Sequence, residues 1–135
     1  MRRAYSGSCH CGMVRFEVAV DVSAGTTKCN CSICSKLRMW VVQVPFEAFL
    51  LLAAQADLTD YRGHNPVAHH FFCKHCGVHP FARVDMPNMS GVPYYNVNVG
   101  CLHGLDIDEL VDAPVHYQDG RNDDWSSEPT RTSHL

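Results

Sequence analysis

The sequence predicts a mainly β domain, made of several small twisted antiparallel sheets built around zinc knuckles, with little helix. Three observations carry this. Seven of the eight cysteines fall into the clusters Cys9-x-Cys11, Cys29-x-Cys31-x-x-Cys34 and Cys73-x-x-Cys76, which is the grouping of metal-ligating thiolates. Short segments alternate apolar and polar residues with the period of a half-buried strand. Glycine, proline and asparagine interrupt these segments, leaving little room for long helices.

The first clear strand is Met13 to Val20, where Val14, Phe16, Val18 and Val20 share one face and Arg15, Glu17 and Ala19 the other. It leaves the Cys9-His10-Cys11-Gly12 knuckle. Asp21 to Thr27 reads as a turn-rich connection into the second cluster, where Ser32 is a candidate cap for a helical turn over Cys34 to Arg38. Met39 to Val44 is an apolar strand ended by Pro45, Phe46 to Ala56 is a candidate short helix, and Leu58 to Tyr61 is a strand before the Arg62–Pro66 turn. Val67 to Phe72 enters the Cys73-Lys74-His75-Cys76-Gly77 knuckle and Phe81 to Val84 leaves it. Gly12 and Gly77 follow the last cysteine of each pair, where a positive φ lets backbone amides fold toward sulfur. Asp85 to Pro93 is a loop, Tyr94 to Leu102 a strand, and Val115 to Tyr117 a last short strand.

A chain of 135 residues is of single-domain size. The expected organisation is one zinc-binding domain over residues 1–125 and a polar, fraying C-terminal tail over 126–135. The net charge of -3 and the absence of a Lys/Arg block provide no footprint for a nucleic acid or an anionic membrane. No apolar run is long enough to span a bilayer. A disulfide framework would need an oxidising compartment, yet no signal-peptide h-region follows Met1-Arg2-Arg3. Cysteines two apart on an extended chain also lack the Cβ approach of a relaxed disulfide. These points predict a soluble, cytoplasmic protein whose cysteines hold metal.

Seven ligands divide into a closed site of four and an open site of three. Cys9, Cys11, Cys73 and Cys76 are assigned to the first, which would join two distant hairpins and serve structure. A local pairing of the first two clusters is the competing partition. Cys29, Cys31 and Cys34 remain as a trio whose ion would have a vacancy for a soft ligand such as an incoming thiol, making them the candidate catalytic centre. The alternative is that a histidine or Cys101 fills that vacancy and both ions are structural. Cys101 has no neighbour at ligand spacing and reads as a small core residue. The histidines around the second knuckle, His69, His70, His75 and His79, read as surface, core or supporting groups. No zinc-deaminase signature, H-E-x-x-H, phosphate loop or G-x-S-x-G elbow is present.

The stretches Gly7-Ser8-Cys9-His10-Cys11-Gly12-Met13-Val14-Arg15-Phe16, Cys29-Asn30-Cys31-Ser32-Ile33-Cys34 and Phe72-Cys73-Lys74-His75-Cys76-Gly77-Val78-His79-Pro80-Phe81 resemble, in order, the glutathione-dependent formaldehyde-activating enzyme family. The resemblance runs from about Tyr5 to Trp125, and the run Cys29 to Lys36 and the Phe72 to Phe81 block are also similar to the domain of centromere protein V, a member of that family. It implies a zinc-built β fold with a structural zinc on Cys9, Cys11, Cys73 and Cys76 and a labile catalytic zinc on Cys29, Cys31 and Cys34. It further implies a carbon–sulfur lyase-type enzyme that adds a small thiol, glutathione or similar, to formaldehyde or another aldehyde, or runs the reverse. The expected partners are therefore a thiol and an aldehyde, with no nucleic acid and no membrane. Arg38, Lys36 and Arg62 are candidates for holding a charged tripeptide, and Trp40, Phe46, Tyr94 and Tyr95 for lining a cleft. Solvated charge and core packing are the competing readings. A non-catalytic, zinc-stabilised protein-interaction domain is the alternative function.

Overall fold

The computed structural model describes residues 1–85 and 92–135. Ten strands, β1 (Arg3–Ser8), β2 (Arg15–Val20), β3 (Thr26–Cys29), β4 (Val41–Pro45), β5 (Phe49–Leu51), β6 (Leu58–Tyr61), β7 (Ala68–Cys73), β8 (Phe81–Val84), β9 (Tyr94–Asn98) and β10 (Val115–Gln118), are joined by two short helices, α1 (Ser32–Leu37) and α2 (Ile107–Asp112), and several 3-10 turns. They form a three-stranded sheet in the order β1-β2-β5 and a seven-stranded sheet in the order β10-β3-β4-β9-β8-β7-β6. The mainly β architecture with little helix is the one expected. The second sheet is wider than the small sheets anticipated, and its β10–β3 pair is parallel.

The core lies between the sheets. Tyr5, Phe16, Val18 and Val20 from the small sheet pack in one cluster with Val42, Val44 and Val97 from the large one and Val99 from the 3-10 turn after β9. Alternation along each strand follows from this one-sided burial. Across the large sheet, Val42, Val97, Phe81 and Phe71 form one row on the core face. Gln43, Asn96, Ala82 and His70 form the neighbouring row on the opposite face.

Several differences from the sequence reading have a common origin in tertiary packing. Phe46 to Ala56, expected as a helix, instead forms a 3-10 turn at Phe46–Ala48 and then β5. Phe49 and Leu51 turn inward against Val18 and Phe16 while Leu50 is 55% exposed, so pairing with β2 imposes period two on an apolar run that fits either period. Phe49 stacks on Phe16 and Tyr95 with ring centroids 5.3 and 4.3 Å apart. β1, β3 and α2 were not foreseen. In β1 the inward residues are only Tyr5 and Gly7, and a Cβ at Gly7 would lie 2.3 Å from the Phe16 ring, so the strand is built to admit its neighbour's aromatic. The expected strand from Tyr94 ends at Asn98, whose side chain accepts from Gly100 N and turns the chain into a 3-10 turn. Of the expected loop from Asp85 to Pro93, residues 86–91 lie outside the described residues.

Candidate metal centres

The two knuckles bring Cys9, Cys11, Cys73 and Cys76 together with all four sulfurs within 4.8 Å of one another. Cys9 Sγ and Cys11 Sγ are 3.7 Å apart, and Cys11 Sγ and Cys73 Sγ are 3.6 Å apart. Ligands about 2.3 Å from a central zinc in a tetrahedron would be separated by about 3.8 Å, so the quartet fits that ion. Gly12 and Gly77 have φ of 82° and 78°, the conformation the knuckles required. The turns aim amides at sulfur, Val14 N donating to Cys9 Sγ at 3.3 Å and His75 N to Cys73 Sγ at 3.4 Å. A hydrogen bond from the Val78 amide leads the effects that hold the Cys76 thiol down to about 6. Cys73 and Cys9 are buried in a second core cluster with Val14 and Phe81, so this site is continuous with the packing between the sheets.

Cys29, Cys31 and Cys34 form the second group, with three sulfurs within 4.8 Å of one another and no fourth Cys, His, Asp or Glu joining them among the described residues. Cys29 ends β3, Cys31 caps α1, and Cys34 lies in its first turn. The expected cap, Ser32, is the first helical residue instead, because the Cys31 sulfur accepts the Cys34 amide at 3.4 Å. The Cys31 amide donates to Cys29 Sγ at 3.4 Å. Without a cation between them the sulfurs resist joint ionisation. Hydrogen bonds with Cys29 and Cys34 push Cys31 down, the bond with Cys31 heads the causes that push Cys29 up, and those with Cys29 and Cys31 push Cys34 up. A dication in their midst is what would let all three act as thiolates.

The trio lies over the face of the large sheet opposite the core. Cys29 continues the row of Thr27, which is paired with Val41, on the other side from Val42. Two side chains of that face interact electrostatically with the trio. Burial, then the charges of Cys29 and Cys34, push the Tyr94 phenol up. His70 is pushed down by burial, partly offset by Cys31. Between them stands Asn96, whose buried Oδ1 has no hydrogen-bond partner among the described residues. Of the other proposed aromatics, Trp40 and Tyr95 pack against the core and the Phe46 ring lies tilted against Tyr95 at 4.7 Å between centroids. Arg62 turns to the Pro66 carbonyl and Lys36 is exposed, whereas Arg38 borders the trio. Cys101 is buried in the core, and burial pushes its thiol up to about 11.

The sequence reading missed the groups that fix the trio from far along the chain. Buried Asn30, between two of the cysteines, donates from Nδ2 to Asp119 Oδ1 at 2.8 Å and accepts the Arg121 amide on its own Oδ1 at 2.9 Å. Its carbonyl accepts from Ser35 Oγ and Arg121 Nε. Gly120 passes so close that a Cβ there would lie 2.7 Å from Cys29 Sγ and 3.0 Å from Cys31 Cβ. The only sequence signal was an Asp-Gly dipeptide, which reads as an ordinary turn.

The model of the family described as glutathione-dependent formaldehyde-activating enzyme matches residues 4–116. Among solved structures, the chain is similar to a Rhodobacter sphaeroides protein whose crystal structure was determined as a Northeast Structural Genomics target. The TM-score is 0.67 at 27% identity, over 82% of this chain and 99% of that one. Two cysteine clusters able to hold zinc accord with that likeness.

Proposed function

This chain belongs to the glutathione-dependent formaldehyde-activating enzyme family, and from that premise we propose that it is a carbon–sulfur lyase-type enzyme joining a small thiol to formaldehyde or a related aldehyde, or cleaving the adduct. The observation that carries this reading is the three-sulfur group without a fourth donor among the described residues, standing beside a complete four-sulfur group. The quartet is the structural zinc site, and Cys29, Cys31 and Cys34 are the catalytic one. When bound at the trio, zinc would supply a fourth position that takes a thiol as thiolate.

The remaining chemistry falls to the chain. In the addition, the C–S bond forms as the C=O π bond opens, and the thiol proton ends on the former carbonyl oxygen. His70, kept neutral by burial and within electrostatic reach of Cys31, is the imidazole that would accept that proton and return it. The Cys31 and Cys34 amides hold the sulfurs in place, and the Asn30–Asp119 bond anchors the loop that carries them. Reduced cysteines are required throughout, so a cytoplasmic setting goes with this reading.

Exchange NMR of glutathione with formaldehyde, together with metal content per chain, tests it. Wild-type protein with two zincs should accelerate exchange, and Cys31→Ser should keep the fold and one zinc while losing the acceleration. Equal exchange with and without protein would leave the interaction-domain alternative.

A further inference from the structure

Among the described residues one buried side-chain oxygen lacks a hydrogen-bond partner, Oδ1 of Asn96. A buried acceptor left unbonded destabilises a fold, and such atoms are rare for that reason. Other asparagines of this chain show the group satisfied. Asn98, two residues on along β9, donates from Nδ2 to the His79 carbonyl and accepts from the Gly100 amide, each at 3.0 Å. Asn30 likewise uses both ends of its amide. Asn96 has no such neighbours. Its partner in register on β4 is Gln43, which is exposed, and on β8 it is Ala82, which is buried and offers only a methyl group. The Asn96 Nδ2, outside the enclosure of Oδ1, makes no hydrogen bond among the described residues either.

Two further polar groups on this face are in the same condition. Tyr94, two residues back along β9, and His70, at the far end of the row, make no hydrogen bond among the described residues, although both lie within electrostatic reach of the trio's sulfurs. Burial and the sulfur charges push the Tyr94 phenol up, so it stays an O–H donor. Asparagine is also a poor strand residue, so its place in mid-sheet is not explained by folding. Packing holds these groups, and their donors are free for a guest.

We propose that Asn96 Nδ2 and Tyr94 Oη form the site for the aldehyde oxygen, donating two hydrogen bonds to the negative charge that develops there during addition. The inference rests on the thiol-activating reading of the trio and assigns the electrophile's half of that reaction. As the C–S bond forms, the C=O π pair moves to oxygen, the two donors hold that oxyanion, and His70 delivers to it the proton taken from the thiol. Cleavage of the adduct runs the same steps backward. Donors fixed in advance stabilise the charge without reorganising when it appears. The unbonded amide is the loss of stability that accompanies this arrangement.

The test uses the whole 135-residue chain loaded with zinc. Asn96→Leu removes one donor at similar volume, and Tyr94→Phe removes the other. Each should lower kcat for glutathione–formaldehyde exchange about 100-fold, with the KM for glutathione at its wild-type value. The Tm of Asn96→Leu should equal or exceed that of wild type, because an unbonded amide has been exchanged for an apolar group. A second readout needs no turnover: the carbonyl resonance of 13C-labelled formamide, an unreactive carbonyl of nearly formaldehyde's size, should shift with wild type and much less with either variant. Should Asn96→Leu fail to fold, Tyr94→Phe carries the test through the same readouts. Wild-type kcat in either folded variant, a folded Asn96→Leu whose Tm falls together with its kcat, or equal formamide shifts in all proteins would overturn the proposal. Absence of exchange in wild type with the formamide shift intact would sink the proposed reaction and leave the carbonyl site standing.

Discussion

Replacing Gly120 with alanine isolates the trio from the rest of the molecule. The added Cβ would sit 2.7 Å from Cys29 Sγ, and the sulfur must retreat by about 0.7 Å to regain ordinary contact at 3.4 Å. Retreat of the glycine itself is opposed by Cys31 Cβ and Trp125 Cη2, each 3.0 Å from the same position. Metal ligands tolerate displacements of only about 0.2 Å, so the strain falls on the ion held by Cys29. Overpacking of this kind costs about 1–3 kcal/mol, which corresponds to roughly 5- to 140-fold weaker zinc binding at that site. The quartet shares no contact with Gly120 and should be unaffected. Competition with a chromophoric chelator should resolve two zinc affinities in wild type, and in Gly120→Ala only the weaker should fall, with far-UV circular dichroism preserved. Wild-type affinity at both sites would refute the assignment of Gly120 as the backing of the trio.

The other perturbations separate structure from chemistry. Cys11→Ser should leave a chain without cooperative thermal unfolding, because structural zinc contributes on the order of 10 kcal/mol, comparable to the net stability of a domain; scanning calorimetry beside Cys31→Ser shows whether the two centres differ in this way. His70→Asn should lower kcat about 100-fold or more with unchanged zinc content, and rescue of the rate by added imidazole would mark the lost group as a base. Burial places the folded pKa of His70 below its ordinary 6.5, so its stabilising neutral form is fully favoured above the unfolded pKa and that contribution is lost as pH falls through the lower folded value. The rate of exchange should accordingly stay level as pH drops past about 6.5 and decline only below it; a break at 6.5 or above would remove His70 from the mechanism. Phe49→Ala should cost about 3 kcal/mol in urea unfolding, since this ring joins Phe16, Phe81 and Tyr95 across both sheets.

The grouping of cysteines and the alternating strands were legible in the sequence because both are local. Ligand spacing and a period of two act over a few residues, so Cys9/Cys11, Cys73/Cys76 and the trio could be partitioned by counting. The bounds of Leu58–Tyr61 and Phe81–Val84 likewise follow from alternation between turn residues. Local signals failed where a neighbour chose between two acceptable conformations. The Phe46–Ala56 run is apolar enough for either period, and only the edge of β2 selects a strand. β1 carries two small residues and no long alternating row, and it is recognisable only once Phe16 lies over Gly7.

The sequence by itself therefore determined the grouping of seven thiols, divided four and three and able to hold metal, on a β scaffold without a Lys/Arg block. The tertiary structure decided what surrounds each centre. Asn30 meets Asp119 and Arg121 across 89 and 91 residues, and Lys28 meets Leu135 across 107. Nothing in the composition of either segment encodes those meetings, because such contacts form only when the parallel β10–β3 pair closes the edge of the large sheet. Spacing fixes which atoms can share an ion. Long-range closure fixes which face they look toward and what backs them.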